Sequence, residues 1–160
     1  MDVWLLRHAA AEDVAPSGRD ADRKLTPEGA ARASAVARGL AKTAPGIEAI
    51  LSSPYRRAKE TAEPAAKAAG VAVTVTRALE PGHSPGEVLK ELAASSREKV
   101  LLVGHEPLLG SIIGFVLFGD ADYAIPLKKA QVALLRWSPG EAGKLKALIS
   151  AKVLEQAADS

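Results

Sequence analysis

Cysteine is absent from the 160 residues. That removes thiolate nucleophiles, iron–sulfur clusters and every zinc site built on cysteine, while leaving the redox compartment open. Aromatic residues are scarce, at 4%. No long hydrophobic run exists either. The longest, Leu108 to Phe118, is broken by Gly110, Ser111 and Gly114 and is too short to cross a bilayer. Met1 to Leu6 lacks a basic leader with an apolar stretch and cleavage site, so no export is expected and the cytoplasm is the expected compartment. Neither sign of charge dominates: 21 basic and 19 acidic side chains leave a net charge of +2. Without a basic stripe, nucleic acid is not an expected partner, and any bound anion has to be held by a local cluster. Neither a membrane nor a second copy of the chain is expected as a partner.

What is present is alanine, 32 residues of it, which favours helices and close packing of helix on sheet. A chain of this length buries roughly two thirds of its unfolded surface and needs no covalent staple. One domain spanning residues 1–160 is expected. Strands are expected at Val3–Leu6, Ile50–Leu51, Val71–Thr76, Val100–Val103 and Gln131–Trp137. Helices fall between them. Thr26-Pro27-Glu28 opens one reaching about Lys42, Ser53-Pro54 opens another ending at Gly70, and Ser84-Pro85-Gly86-Glu87 opens a third with a capping box. Glu106-Pro107 opens a fourth, which Gly119-Asp120 closes. In the second helix Ala58, Ala62, Ala65 and Ala69 form one small-residue face. The tail after about Leu154 is expected to fray. This alternation predicts an α/β three-layer sandwich, with a mainly parallel mixed sheet covered by helices on both faces. The polar stretches Ala11 to Lys24 and Asp120 to Lys129 are expected as surface loops at the rim of a site.

Three strand-to-helix junctions carry residues suited to phosphate. Arg7-His8 follows the first strand, Arg56-Arg57 opens the helix after Leu51-Ser52-Ser53, and Gly104-His105-Glu106-Pro107 follows Val100 to Val103. In open α/β sheets the ligand crevice lies beyond the carboxyl ends of parallel strands, so these junctions can meet. Arginine forks and helix N-terminal amides both favour a dianion. Two arginines and two histidines around one phosphate point to covalent phosphoryl transfer. His8 is the expected nucleophile, since a backbone carbonyl that takes one ring proton leaves the other nitrogen free to attack. His105 is the expected electrostatic partner for the transferring oxygens.

These residues resemble the histidine phosphatase superfamily, with its phosphoglycerate-mutase-like fold, and within it the short phosphohistidine phosphatases of the SixA type. Leu5-Leu6-Arg7-His8 is similar to the arginine-histidine-glycine signature, and Leu25-Thr26-Pro27-Glu28-Gly29 to the leucine-threonine-x-x-glycine helix start. Ser52 to Ala62 resembles the serine-rich segment with arginine-alanine-x-x-threonine, and Val103-Gly104-His105-Glu106-Pro107 the second histidine motif. The resemblance implies that His8 is phosphorylated, that Arg7, Arg57 and His105 complete the pocket, and that neither metal nor cofactor is required. It favours Arg57 over Arg56, adds Glu106 as a further substrate contact, and makes Glu80 the candidate general acid. Ala9 stands where the signature has glycine. Ala11 and Val14 replace a serine and an asparagine of mutase-like members, which weakens a mutase reading.

Other phosphatase chemistries lack their residues. Asp20-Ala21-Asp22 and Asp120-Ala121-Asp122 have the spacing of aspartyl-phosphate enzymes but follow no apolar strand and lack the β-branched residue. No Walker loop and no His-x-x-x-His helix occurs. His83 reads as a rim residue, and Arg56 and Lys59 as a solvated helix face. The expected function is a phosphatase working through a phosphohistidine intermediate, with a phosphohistidine-bearing protein as substrate. The alternatives are a phosphatase for small phosphate esters, which would need Glu80, and an inactive phosphate-binding module.

Overall fold

A computed structural model describes all 160 residues. Its strands are β1 (Asp2–Arg7), β2 (Ala49–Ser52), β3 (Val73–Val75), β4 (Lys99–Gly104), β5 (Val132–Arg136) and β6 (Lys144–Ile149). The helices are α1 (Pro27–Thr43), α2 (Arg56–Ala69), α3 (Pro85–Ala93), α4 (Leu108–Phe118) and α5 (Ala151–Asp159). Single 3₁₀ turns stand at Asp20–Asp22 and Arg77–Leu79. The sheet order is β3-β2-β4-β1-β5-β6. The first four run parallel, β5 lies antiparallel to β1, and β6 antiparallel to β5.

Alternation along β1 and β4 divides the core into two layers, because successive side chains leave opposite faces of a strand. Trp4, Leu6, Leu101 and Val103 join Val36, Leu40, Ala58, Ala62 and Leu154 from α1, α2 and α5. Val3, Leu5, Val100 and Leu102 join Leu89, Leu92, Ile112 and Ile113 from α3 and α4 on the other face. The three-layer sandwich with a mainly parallel sheet is thereby formed as its sequence predicts.

Local signals act at several helix ends. The Thr26 hydroxyl accepts from the Gly29 amide at 3.0 Å, with Pro27 in the first turn. Gly70 and Gly119 end α2 and α4 in the left-handed region, at φ 71° and 74°. Gly29 also lets α1 approach the loop after β1: a Cβ there would lie 2.0 Å from the Ala10 carbonyl oxygen.

Three expectations need correction. Ser84 makes no side-chain cap, and the Glu87 carboxylate that would complete the other half of the box lies 2.8 Å from His83 Nδ1 instead. The chain after Leu154 completes α5, with Leu154 fully buried. β6, unassigned from sequence, is an edge strand whose Lys144 and Lys146 stay exposed, as edge strands commonly do.

α5 lies against α1 at Gly39, where a Cβ would fall 2.0 Å from the Leu154 carbonyl oxygen. Gly39→Ala is expected to lose about 1–3 kcal/mol through overpacking, measured as a lowered urea midpoint with an unchanged slope.

Candidate active site

Register brings the two histidines together. Leu6 pairs with Val103 and Arg7 with Gly104 along the parallel β1–β4 ladder, so His8 and His105 are the next residues on adjacent strands. Their ring centroids are 5.2 Å apart. On the other side of β4, Ser52 pairs with Val103, and the Ser53 amide donates to the Val103 carbonyl at 3.0 Å. The three junctions therefore meet at the carboxyl ends of β1, β2 and β4, with Arg57 in the first turn of α2.

His8 is only 6% exposed. Its Nδ1 lies 2.7 Å from the Ala9 carbonyl oxygen; a carbonyl can only accept, so Nδ1 carries the proton and Nε2 keeps a free lone pair. Burial lowers the pKa to about 4, with Arg57, Arg7 and Lys129 adding to the shift against the raising effect of the Ala9 hydrogen bond. The imidazole is accordingly neutral near pH 7. The loop behind it is anchored to α2: the Ala9 amide donates to the Thr61 hydroxyl at 3.1 Å, and that hydroxyl donates to the Arg57 carbonyl at 2.7 Å.

His105, 2% exposed, has its pKa lowered to about 3, chiefly by burial and then by Arg57. Its Nε2 lies 2.8 Å from the Ser53 hydroxyl oxygen. The Tyr55 ring meets it edge-on at 5.2 Å, and the Arg57 guanidinium carbon stands 5.2 Å from the same Tyr55 ring centre.

Both predicted rim loops hold an arginine. Arg7 donates to the Leu127 carbonyl at 2.9 Å. Arg57 donates to the Asp20 carbonyl at 2.9 Å and to its carboxylate at 3.2 Å. Asp20 also accepts from Arg23 at 2.8 Å, and that bond, aided by Arg57, holds its carboxyl below the usual range. Three buried side-chain nitrogens have no partner: Arg7 Nε, Arg57 Nε and His105 Nδ1. All three belong to residues surrounding His8.

The remaining candidates stand differently. Both Glu106 oxygens accept backbone amides, from Leu127 at 2.8 Å and Gly110 at 3.1 Å. Burial raises its pKa. Glu106 thus fixes Leu127, the residue whose carbonyl holds Arg7, and it occupies an amide of the α4 N-terminus that was expected to face the ligand. Glu80 pairs with Arg77 at 3.3 Å and faces His83 at 3.8 Å; neither His8 nor His105 is among its partners. Arg56 is exposed and paired with Glu60. Sequence reasoning gave Ser53 only the opening of α2 with Pro54, whereas the helix starts at Arg56 with Tyr55 at its N-cap, and it assigned no role to Tyr55 or Thr61, although all three lie within the Ser52–Ala62 segment. It weighed Asp20 only as a nucleophile, and nothing in a sequence marks the Leu127 carbonyl as a ligand for Arg7.

The chain is similar to known proteins in sequence and in fold. Residues 3–81 match the sequence profile of the histidine phosphatase superfamily (branch 1). An uncharacterized protein from Picosynechococcus sp. is 38% identical over 140 residues, covering 85% of each chain. The structure of the protein histidine phosphatase SixA complexed with tungstate superposes with a TM-score of 0.85 at 25% identity, covering 96% of this chain and 99% of that one. A mycobacterial glucosyl-3-phosphoglycerate phosphatase with inorganic phosphate shares the fold, with a TM-score of 0.75 at 19% identity over 95% and 98% of the chains.

Two outcomes follow from the site's electrostatics and scaffolding. Histidine in the unfolded chain titrates near pH 6.5, whereas the folded chain takes up these protons only near pH 4 and 3. The unfolded state binds more protons in between, so unfolding free energy falls as pH is lowered from about 6.5 toward 4. Urea titrations across that range should show the slope, and it should flatten in a His8→Asn, His105→Asn double variant. Glu106→Ala leaves two amides unpaired and loosens Leu127, whose carbonyl holds Arg7. A KM for phosphorylated substrate raised about tenfold is expected, equivalent to about 1.4 kcal/mol of lost anchoring, and steady-state kinetics reads it.

Proposed function

The chain belongs to the histidine phosphatase superfamily and is a phosphatase, and we propose that it takes its phosphoryl group from phosphohistidine on another protein, through a phosphorylated His8. The observation that carries this reading is the trio of unpartnered buried nitrogens on Arg7, Arg57 and His105. A buried polar nitrogen without a partner is costly, and a tetrahedral oxyanion among them offers the acceptors they lack.

In the first step the Nε2 lone pair of His8 attacks phosphorus. A nitrogen–phosphorus bond forms, the bond to the substrate's imidazole breaks, and its electron pair stays on that ring, which leaves as neutral imidazole because its other nitrogen carries a proton. The Ala9 carbonyl, already accepting from Nδ1 at 2.7 Å, stabilises the positive charge that His8 gains. In the second step water attacks phosphorus, the pair returns to Nε2, and the water's proton leaves with inorganic phosphate or solvent. Arg7, Arg57 and His105 meet the equatorial oxygens throughout, where positioning and field supply most of the rate.

Two features support phosphohistidine over an ester. Imidazole leaves as a base whose conjugate acid has a pKa of about 6.5, whereas an alkoxide needs a well-placed acid. Glu80, the candidate for that role, is engaged with Arg77 and faces His83. Moreover, the five helices lie on the two faces of the sheet, and between β3 and β4 the chain holds only a 3₁₀ turn at Arg77–Leu79 and the nine-residue α3, which favours an open site that a side chain of another protein can reach. No helix is long and apolar enough to cross a membrane; the proposed working form is a monomer in the cytoplasm.

The test compares kcat/KM for phosphate release from a phosphohistidine-bearing carrier domain with that from a panel of small phosphate esters, using His8→Ala as control. Preference for the carrier domain by about 100-fold or more, a margin near 2.7 kcal/mol, is the expected result. Preference for one ester would move the assignment to a metabolite phosphatase. Turnover surviving in His8→Ala would overturn the covalent route, and phosphate binding without turnover would identify a binding module.

A further inference from the structure

Ser53 is fully buried and lies in the serine-rich stretch ahead of Arg57. Its hydroxyl offers one proton and two lone pairs. One lone pair accepts from the Tyr55 amide at 3.2 Å. The remaining neighbour is His105 Nε2 at 2.8 Å, and the hydroxyl has no other acceptor. If Nε2 carried the imidazole proton, Ser53 would receive two N–H donors while its own proton stayed buried without an acceptor. The opposite tautomer leaves Nδ1–H as the unpartnered donor instead, and that one a phosphoryl oxygen bound beside His8 can satisfy, whereas the Ser53 hydroxyl has no acceptor but Nε2.

We propose that Ser53 donates to His105 Nε2 and so holds the neutral imidazole as its Nδ1–H tautomer, making Ser53 a positioning residue for phosphoryl transfer. The inference deepens the reading of this site as a phosphoryl-transfer centre and rests on it. Its consequence is chemical consistency. Nδ1 is the unpartnered nitrogen of His105, and the other two are the Nε–H groups of Arg7 and Arg57. With Ser53 donating, all three orphans are hydrogen donors, a set that only an acceptor-rich anion satisfies. His105 then stabilises the transferring oxygens without being protonated, in keeping with a pKa near 3.

The tautomer is read directly by long-range ¹H–¹⁵N correlation of the imidazole rings, with the protein saturated by inorganic phosphate and His105 assigned through His105→Asn. The wild-type protein should show a protonated Nδ1 and an unprotonated Nε2 at His105; the reverse pattern overturns the proposal without recourse to any Ser53 variant. In Ser53→Ala, His105 should shift toward the Nε2–H form, and kcat/KM should fall about tenfold, less than the roughly 100-fold typical of deleting an oxyanion donor outright. Ser53→Thr, which keeps the hydroxyl, should restore the Nδ1–H signature. A Ser53→Ala protein that keeps the wild-type tautomer would overturn the assignment as well. Because the spectrum is recorded with phosphate alone, a correct tautomer in a protein that fails to turn over phosphohistidine would sink the substrate reading and leave this one standing.

Discussion

A single residue of slip between β1 and β4 would send His8 to one face of the sheet and break its pairing with His105, because strand side chains alternate with a period of two. The register that prevents this is set by burial on both faces. Val3, Leu5, Val100 and Leu102 enter one core layer, while Trp4, Leu6, Leu101 and Val103 enter the other. In this alignment all eight of these side chains are buried. The aliphatic ladder therefore does more than stabilise the sheet: it delivers Arg7 opposite Gly104 and leaves the two imidazoles side by side where the strands end.

At that end the physics reverses, from apolar burial to concentrated positive charge. Arg57 is 5% exposed and lies close enough to both imidazoles to lower their pKa values. Neutral histidine is the affordable state beside two guanidinium groups, and it is also the nucleophilic one. The surrounding loops supply fixed dipoles more than countercharge: the Leu127 carbonyl for Arg7, and the Asp20 carbonyl with one half-exposed carboxylate for Arg57. Such a site is incompletely neutralised by its own residues, which suits it to an anion that comes and goes.

Much of this was legible in the sequence, and the reasons differ by element. Val100–Val103 reads as a strand because it is apolar on both faces, and the end of α2 reads at Gly70 because only glycine adopts that left-handed turn freely. His8, His105, Arg7 and Arg57 were legible as a set because each follows such an element. Glu106 was legible as important but not in its role, since a carboxylate beside a histidine looks the same whether it meets substrate or backbone amides. The Ser84 box does not form, and Glu87 meets His83 instead, a pairing settled only in three dimensions. β6 and α5 were missed for a related reason. Leu145 and Leu148 remain partly exposed at the sheet edge, so the strand lacks a strong apolar pattern, and α5 owes its place to the glycine gap on α1.

The strand order has a bearing on how the chain comes to be folded during synthesis. β1 precedes every other element, yet its neighbours in the sheet are β4 and β5, which begin only at Lys99 and Val132. Contacts so distant along the chain form late, after the intervening loop entropy has been overcome. As the chain emerges from the ribosome, α1, β2, α2 and β3 can gather before β1 has any strand to join. The Arg7-His8 dipeptide thus travels through most of translation as part of an unpaired apolar strand, a segment prone to non-native association, and acquires its phosphate-binding geometry only once β4 slides into place beside it.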